Sequence, residues 1–233
     1  MSATCRIVFP LYAGVTQLDF TAPHQFFNRM PGAETVVASV GGAEVEADGL
    51  VFSRLADLTA IDSCDVLCVP GGFGTTAAML DEAYMAAIRR LGASARYVTS
   101  VCTGSLILAA AGLLKGRRAA CHWAWRDLLP LFDVGVDESR VCRDGNVITG
   151  GGVTAGLDFA LVAGAEIFGE DAARRVQLGL EYAPAPPFDG GRPELAPPHI
   201  LAQVRTVMDA AVADRRAAAL EAAARLKARA SAA

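Results

Sequence analysis

The sequence predicts an α/β protein, a mostly parallel sheet sandwiched by helices with a nucleophile elbow at one strand end. Three observations carry that class. A continuous apolar run, Asp65-Val-Leu-Cys-Val69, reads as a strand buried on both faces, and Arg96-Tyr-Val-Thr-Ser-Val101 as the next buried strand. Segments of helical spacing alternate with the strands, as parallel sheets require. Small-residue turns, Pro70-Gly-Gly-Phe-Gly74 and Cys102-Thr-Gly104, stop those runs abruptly.

The elements follow in order. Thr4 to Pro10 is a first strand by its β-branched, apolar content. Leu18 to Asn28 is a helix, with Thr21 or Asp19 as its N-cap and Pro23 near its first turn. Glu34 to Val40 is a second strand. Gly41-Gly42 and Asp48-Gly49 bracket the short strands of a hairpin. Asp81 to Ala95 is a helix with Met85, Ile88 and Leu91 on one face. A second helix runs from Thr103 to about Leu114. Val141 to Thr149 is a hairpin around Asp144-Gly145, and Thr154 to Phe168 and Glu170 to Leu180 are two more helices. Ala183 to Pro198 holds six of the eleven prolines, so neither helix nor central strand fits there. A loop of that length in a compact domain is usually functional or packed on a partner. His199 to Ala230 is Ala-rich and helical by propensity. The connections leave no clean linker, so residues 1–198 form one domain and 199–233 a helical extension of it.

Composition excludes several classes. Hydrophobic residues are 53% and charged residues 20%, which is globular and not disordered. Lys+Arg is 21 against Asp+Glu 25, so no basic excess suggests nucleic acid as a partner. The six cysteines are too scattered for a disulfide scaffold; Cys64-x3-Cys68 is the only close pair, it lies in a buried strand, and no second Cys/His pair has zinc-ligand spacing. A reducing, cytoplasmic setting is expected, without a signal peptide. Tyr97 to Leu114 has no charge over 18 residues, but Thr99, Ser100, Thr103, Gly104 and Ser105 crowd its middle. It reads as a strand turning into a buried helix, not a membrane span.

The chemistry concentrates at Ser100-Val-Cys-Thr-Gly104. Small residues two before and two after a nucleophile let a tight strand-to-helix turn close and expose the side chain at the carboxyl end of the sheet. The helix that follows offers N–H groups and a positive end to Cys102, which predicts a lowered thiol pKa. The bland alternative, a buried inert thiol, suits Cys64, Cys68 and Cys5 better. The Gly71-Gly72 turn ends the neighbouring strand, where its N–H groups can serve as an oxyanion hole. The same stretch matches a dinucleotide pattern, Gly72-x-Gly74-x-x-Ala77, but follows the wrong strand and lacks the later carboxylate. Asp19 follows the first strand and shares that carboxyl edge, unless it serves as a helix cap. His122 sits between Cys121 and Trp123 and reads as a packed histidine. Arg215, Arg216, Arg225, Lys227 and Arg229 alternate with acids and read as a solvated helix face. No carboxylate or histidine cluster suggests a metal.

Val69-Pro-Gly-Gly-Phe-Gly74 and Ser100-Val-Cys-Thr-Gly-Ser105 together resemble the ThiJ/PfpI superfamily, with its flavodoxin-like, glutamine-amidotransferase-related fold. Tyr97 to Ser105, Thr149 to Asp158 and Val176 to Phe188 are similar to the isocyanide hydratases within it. The resemblance implies hydration of an isocyanide to an N-substituted formamide, with no cofactor or metal and as a homodimer. It implies Cys102 as nucleophile, Asp19 as its acid/base partner, Thr103 as the residue after the nucleophile, and Gly71 and Gly72 as backbone facing the reaction centre. The loop from Tyr12 to Thr16 departs slightly in length from the family pattern. Two other readings stay open: a cysteine-dependent stress or glyoxalase-type relative, and a ligand sensor like those in AraC-type regulators. Only about 35 residues follow Pro198, too few for the appended DNA-binding domain of such regulators.

Overall fold

A computed structural model describes residues 4–211 and 214–232. Its strands are β1 (Cys5–Pro10), β2 (Ala33–Ser39), β3 (Val45–Ala47), β4 (Leu50–Phe52), β5 (Ala56–Asp57), β6 (Val66–Val69), β7 (Tyr97–Val101), β8 (Arg118–Ala120), β9 (Gly135–Asp137), β10 (Val141–Asp144) and β11 (Val147–Gly150). Seven of them form the central sheet, in the order β10-β11-β7-β6-β1-β2-β5. All neighbours pair in parallel except β10, which closes one edge antiparallel to β11. The register aligns Val69 of β6 with Ser100 of β7, and Val101 of β7 with Gly150 of β11. Three strand ends therefore lie side by side.

Parallel strands need helices on the sheet's faces, and the buried sequence runs match that demand. Every residue of β6, β7 and β11 is buried. Each fully buried Val, Leu or Ile contributes roughly 1.5–3 kcal/mol, so these strands form the hydrophobic spine. Helix α1 (Gln17–Phe27) packs on α5 (Ala155–Phe168), and α6 (Glu170–Gly179) packs on α5 in turn. Helix α3 (Glu82–Ser94) is capped by Asp81, whose carboxylate accepts the Tyr84 N–H at 3.0 Å. It buries Met85, Ile88 and Leu91, the face read from the sequence. The hairpin turn at Asp48-Gly49 joins Val45–Ala47 to Leu50–Phe52.

Five expectations need correction. Thr16, not Asp19 or Thr21, is the N-cap of α1, and Asp19 lies buried in its first turn. Pro23 sits in the middle of that helix, where it leaves the Asp19 carbonyl without the usual amide partner. Helix α4 spans only Gly104–Ala110, because Gly112 adopts φ +81° and turns the chain. The C-terminal helical stretch is two helices, α7 (Pro198–Ala211) and α8 (Arg215–Ala232). Helix α8 packs on α4 and buries Ala218, Ala219, Ala222 and Ala223. The exposed Arg225 and Arg229 pair with Glu221 and Glu82, as a solvated face would. Arg215 does not: it is 1% exposed. From Ala183 to Pro197 the chain carries neither helix nor strand, as its prolines require.

Candidate active site

Cys102 follows β7 immediately and takes φ +58°, in the left-handed region that L side chains rarely adopt. That strain is the signature of a nucleophile elbow. The turn closes because Gly104 has no side chain: a Cβ there would lie 2.1 Å from the Val69 carbonyl oxygen. Ser100 and Ser105 hydroxyls meet at 2.9 Å behind the turn.

The sequence-selected residues converge here. Asp19 is fully buried, and its Oδ2 accepts the Gly71 N–H at 2.8 Å. Among the described residues its Oδ1 is buried without a hydrogen-bond partner, and the Cys102 thiol is the neighbouring side chain that pulls on this carboxyl. Thr103 Oγ1 accepts the Gly72 N–H at 3.0 Å and lies 2.8 Å from Thr75 Oγ1. Thr75 in turn meets the Tyr12 hydroxyl at 3.0 Å, and that hydroxyl also donates to the Pro70 carbonyl at 2.9 Å. A Cβ on Gly71 would stand 2.4 Å from Thr103 N and 2.9 Å from Asp19 Oδ2. The turn must therefore be glycine there for the acid and the elbow to approach.

The geometry reverses the role read for the glycine amides. The Gly71 N–H is spent on Asp19 and the Gly72 N–H on Thr103, so neither is free to hold substrate charge. They position the acid and the threonine instead.

The electrostatics correct the expected thiol as well. Burial pushes Asp19 up from 3.8 to about 7, against the Gly71 N–H and the Cys102 thiol, which pull it down. Burial also pushes Cys102 well above 9.0, and the neighbouring Asp19 and Cys121 add to the rise. The Thr103 N–H pulls it down. Desolvation thus outweighs the helix terminus, and the thiol is raised where the sequence predicts it lowered. The proton of the pair rests on sulfur, and the carboxyl titrates near neutrality.

The remaining cysteines and histidines stand apart. Cys64 and Cys68 are buried with thiols pushed up to about 12, as inert core groups are. His122 lies against Trp123 and Trp125, ring centroids 5.6 and 4.9 Å away, and burial drives it down to about 4. It makes no hydrogen bond to Cys102. Among the described residues no group of three or more His, Cys, Asp and Glu could hold a metal, and no helix is long and apolar enough to cross a membrane.

Sequence reasoning missed two parts of the site. Tyr12 and Thr75 were legible in principle, since Tyr12 follows β1 and Thr75 opens the short helix α2 (Thr75–Ala78) after the β6 turn, at the same carboxyl edge. Arg215 was not. It comes from α8, stacks its guanidinium 4.3 Å over the Trp125 ring, and donates to the Gly72 and Phe73 carbonyls at 2.9 and 3.1 Å.

A parallel α/β sheet that ends in a strained cysteine elbow beside a buried carboxyl defines a cysteine-centred protein of the flavodoxin-like class. The chain belongs to the DJ-1/PfpI family, whose profile matches residues 5–165. It is 48% identical over 203 residues to the isonitrile hydratase of Pseudomonas putida, covering 86% of this chain and 88% of that one. The crystal structure of a ThiJ/PfpI family protein from Pseudomonas syringae superposes with a TM-score of 0.86 at 42% identity, covering 95% and 91% of the two chains. The HTH-type transcriptional regulator GlxA of Rhizobium meliloti is 31% identical over 183 residues, 73% of this chain but 52% of the regulator.

Proposed function

We propose that this protein is an enzyme that hydrates an isocyanide, R–N≡C, to the formamide R–NH–CHO. The observation that carries the reading is the Cys102–Asp19 pair: a soft nucleophile that meets a buried carboxyl titrating near 7, with no histidine hydrogen-bonded to the thiol. The Pseudomonas putida isonitrile hydratase, 48% identical over most of both chains, supports the substrate class.

The reaction balances on those residues. Asp19 takes the Cys102 proton as sulfur attacks the terminal carbon, and delivers it to that carbon. The product of this step is a thioimidate, R–N=CH–S–Cys102. Water then adds to the thioimidate carbon, and the nitrogen is protonated. Collapse of R–NH–CH(OH)–S–Cys102 expels the thiol and releases the formamide. Asp19 begins and ends this sequence ionised, so the competent form is populated above about pH 7. Thr103, held by the Gly72 N–H and Thr75, fixes the turn and orients the water. The pocket needs no cofactor.

Two further features belong to the reading. Six free cysteines suit a reducing, cytoplasmic setting. The protein acts as a homodimer, for which the exposed Leu178, Phe188 and Leu195 offer apolar surface. Residues 199–233 extend the same domain, since α8 buries its alanines on α4.

The test is turnover of cyclohexyl isocyanide with the formamide identified by mass, in wild type, Cys102→Ala and Asp19→Asn. Product from wild type that disappears in Cys102→Ala, with loss of at least about 100-fold in Asp19→Asn, is the expected result. No product from folded, reduced wild type refutes the reading and moves the stress, glyoxalase-type and sensor alternatives to the front.

A further inference from the structure

Arg215 is a buried cation without a counter-ion. It is 1% exposed, and no carboxylate lies within ion-pair distance of it among the described residues. Among the described residues its Nη1 is buried with no hydrogen-bond partner. Its other nitrogens donate to Gly72 O at 2.9 Å, Phe73 O at 3.1 Å and Thr76 Oγ1 at 3.2 Å. Trp125 supplies a π-face at 4.3 Å, which compensates a desolvated charge only in part. Leaving a charge buried and unpaired is costly. The carbonyls it grips belong to the turn whose amides hold Asp19 and Thr103. Arg215 thus grips by its carbonyls the same turn that holds Asp19 and Thr103 by its amides.

The titratable groups around it are few. Tyr12 on the loop after β1, Cys102 at the elbow and Cys121 after Arg118–Ala120 interact with the Arg215 charge, and His122 is pushed down by it. Facing Cys102 are Asp19 from α1, Cys121 and Tyr12; Asp48 faces Asp19, and Asp127 faces Cys121. Asp127 already pairs with the neighbouring Arg216. Of the groups that interact with Arg215, the one on which a negative charge must form during the proposed cycle is Cys102.

We infer that Arg215 is a positioning residue for the nucleophile: it clamps the Pro70–Gly74 turn from the C-terminal helix and supplies the counter-charge for the thiolate that forms at Cys102. The inference rests on the reading of Cys102 as nucleophile given above. It places a functional group outside residues 5–165, the part of the chain the family profile covers. The C-terminal extension is then a component of the site and not a surface addition. A guanidinium suits both tasks, because its planar fork can grip two carbonyls while its charge cannot be lost to deprotonation.

The experiment measures the rate of Cys102 alkylation by iodoacetamide from pH 6 to 10, located by mass spectrometry of the Cys102 peptide. Wild type, Arg215→Lys and Arg215→Gln are compared after thermal melts establish that each is folded. Gln keeps a donor for the carbonyls but removes the charge. Its alkylation profile should move about one pH unit upward, roughly tenfold slower at any pH below the midpoint. Lys should stay within about 0.3 pH unit of wild type. Cyclohexyl isocyanide turnover should follow, with kcat falling about tenfold in Gln and KM nearly unchanged. If Gln does not fold, Arg215→Met keeps the apolar stem on Trp125 and replaces it in the same comparison. A folded Gln or Met variant whose profile superimposes on wild type overturns the inference, as do equal shifts in Lys and Gln, since a purely structural clamp would not distinguish them by charge. Wild type that alkylates with this Arg215 dependence yet turns over no isocyanide overturns the hydratase reading and leaves this one standing.

Discussion

Replacing Asp19 by Asn should make the protein more stable at pH 8 while it abolishes turnover. Asp19 is fully buried and its carboxyl is pushed up from 3.8 to about 7. Between those values the folded state holds a proton that the unfolded chain has released. Stability therefore falls as pH rises across that window, and the whole cost is present above pH 7. At about 1.4 kcal/mol per pH unit, the gap corresponds to on the order of 4 kcal/mol. Asn keeps the shape and an acceptor for the Gly71 N–H but cannot ionise. The Gly71 N–H bond to the charged form is already contained in that value, so the expected gain at pH 8 is about 4 kcal/mol, or a melting temperature higher by roughly 8–16 °C for a chain of this size.

The assay is calorimetric unfolding of wild type and Asp19→Asn at pH 4, 6 and 8. The two should nearly coincide at pH 4, separate by pH 6 and differ most at pH 8. Parallel stabilities across that range, or a wild type that is the more stable protein at pH 8, would refute the account of Asp19 as a buried carboxyl strained by its own charge. Turnover alone could not do so, because a merely structural Asp19 would also lose activity on replacement. Stability gained together with activity lost is the outcome that separates a functional charge from a structural one.

Three other outcomes follow from the same geometry. Thr103→Val orphans the Gly72 N–H, and should lower stability by about 1–3 kcal/mol and turnover with it, read by melting and by formamide production. Gly71→Ala forces a Cβ to within 2.4 Å of Thr103 N and 2.6 Å of Thr103 Oγ1; the turn must move away from Asp19, so turnover should fall at least tenfold at a stability cost of about 1–3 kcal/mol. The kcat/KM of wild type should rise through an apparent pKa near 7, the value of Asp19. That limb should persist in His122→Phe, because His122 is pushed down to about 4 and cannot supply it.

Much of the fold was written in local patterns. The β6 and β7 runs lack polar alternation because both faces are covered, and a short window of sequence shows that directly. The elbow was legible for a similar reason: Ser100, Cys102 and Gly104 are consecutive, and the turn's closure depends on them alone. Asp19 and the Gly71-Gly72 turn could be placed at one edge because parallel strands bring their carboxyl ends together. The sign of the Cys102 shift was not legible. Its local contribution, the Thr103 N–H, lowers the pKa, whereas the larger contribution is burial by elements distant in sequence. The Gly71 and Gly72 amides were misread for a related reason, since free donors at a strand end look alike until their acceptors are in place. Arg215 was hidden among alternating charges, and only the docking of α8 distinguishes it from Arg216, which is exposed.

The occupied amides bear on the kind of chemistry the site suits. Acyl transfer builds negative charge on a carbonyl oxygen, and enzymes meet it with free N–H donors aimed at that oxygen. Here the two glycine amides nearest the elbow hold a carboxylate and a hydroxyl. Addition of a thiol across R–N≡C makes no oxyanion: the proton that leaves sulfur arrives at carbon, and the thioimidate is neutral. Hydration of that thioimidate also gives a neutral adduct once nitrogen is protonated. A buried pair that exchanges one proton at constant total charge is what such a sequence needs, and a low-dielectric pocket favours steps that create no net charge. The charge that does appear, on sulfur during attack, is transient, and Arg215 stands behind the turn to meet it. On this argument the raised thiol pKa is no defect. A resting thiol keeps its proton available for the carbon that sulfur attacks, and Arg215 meets the charge that appears on sulfur in between.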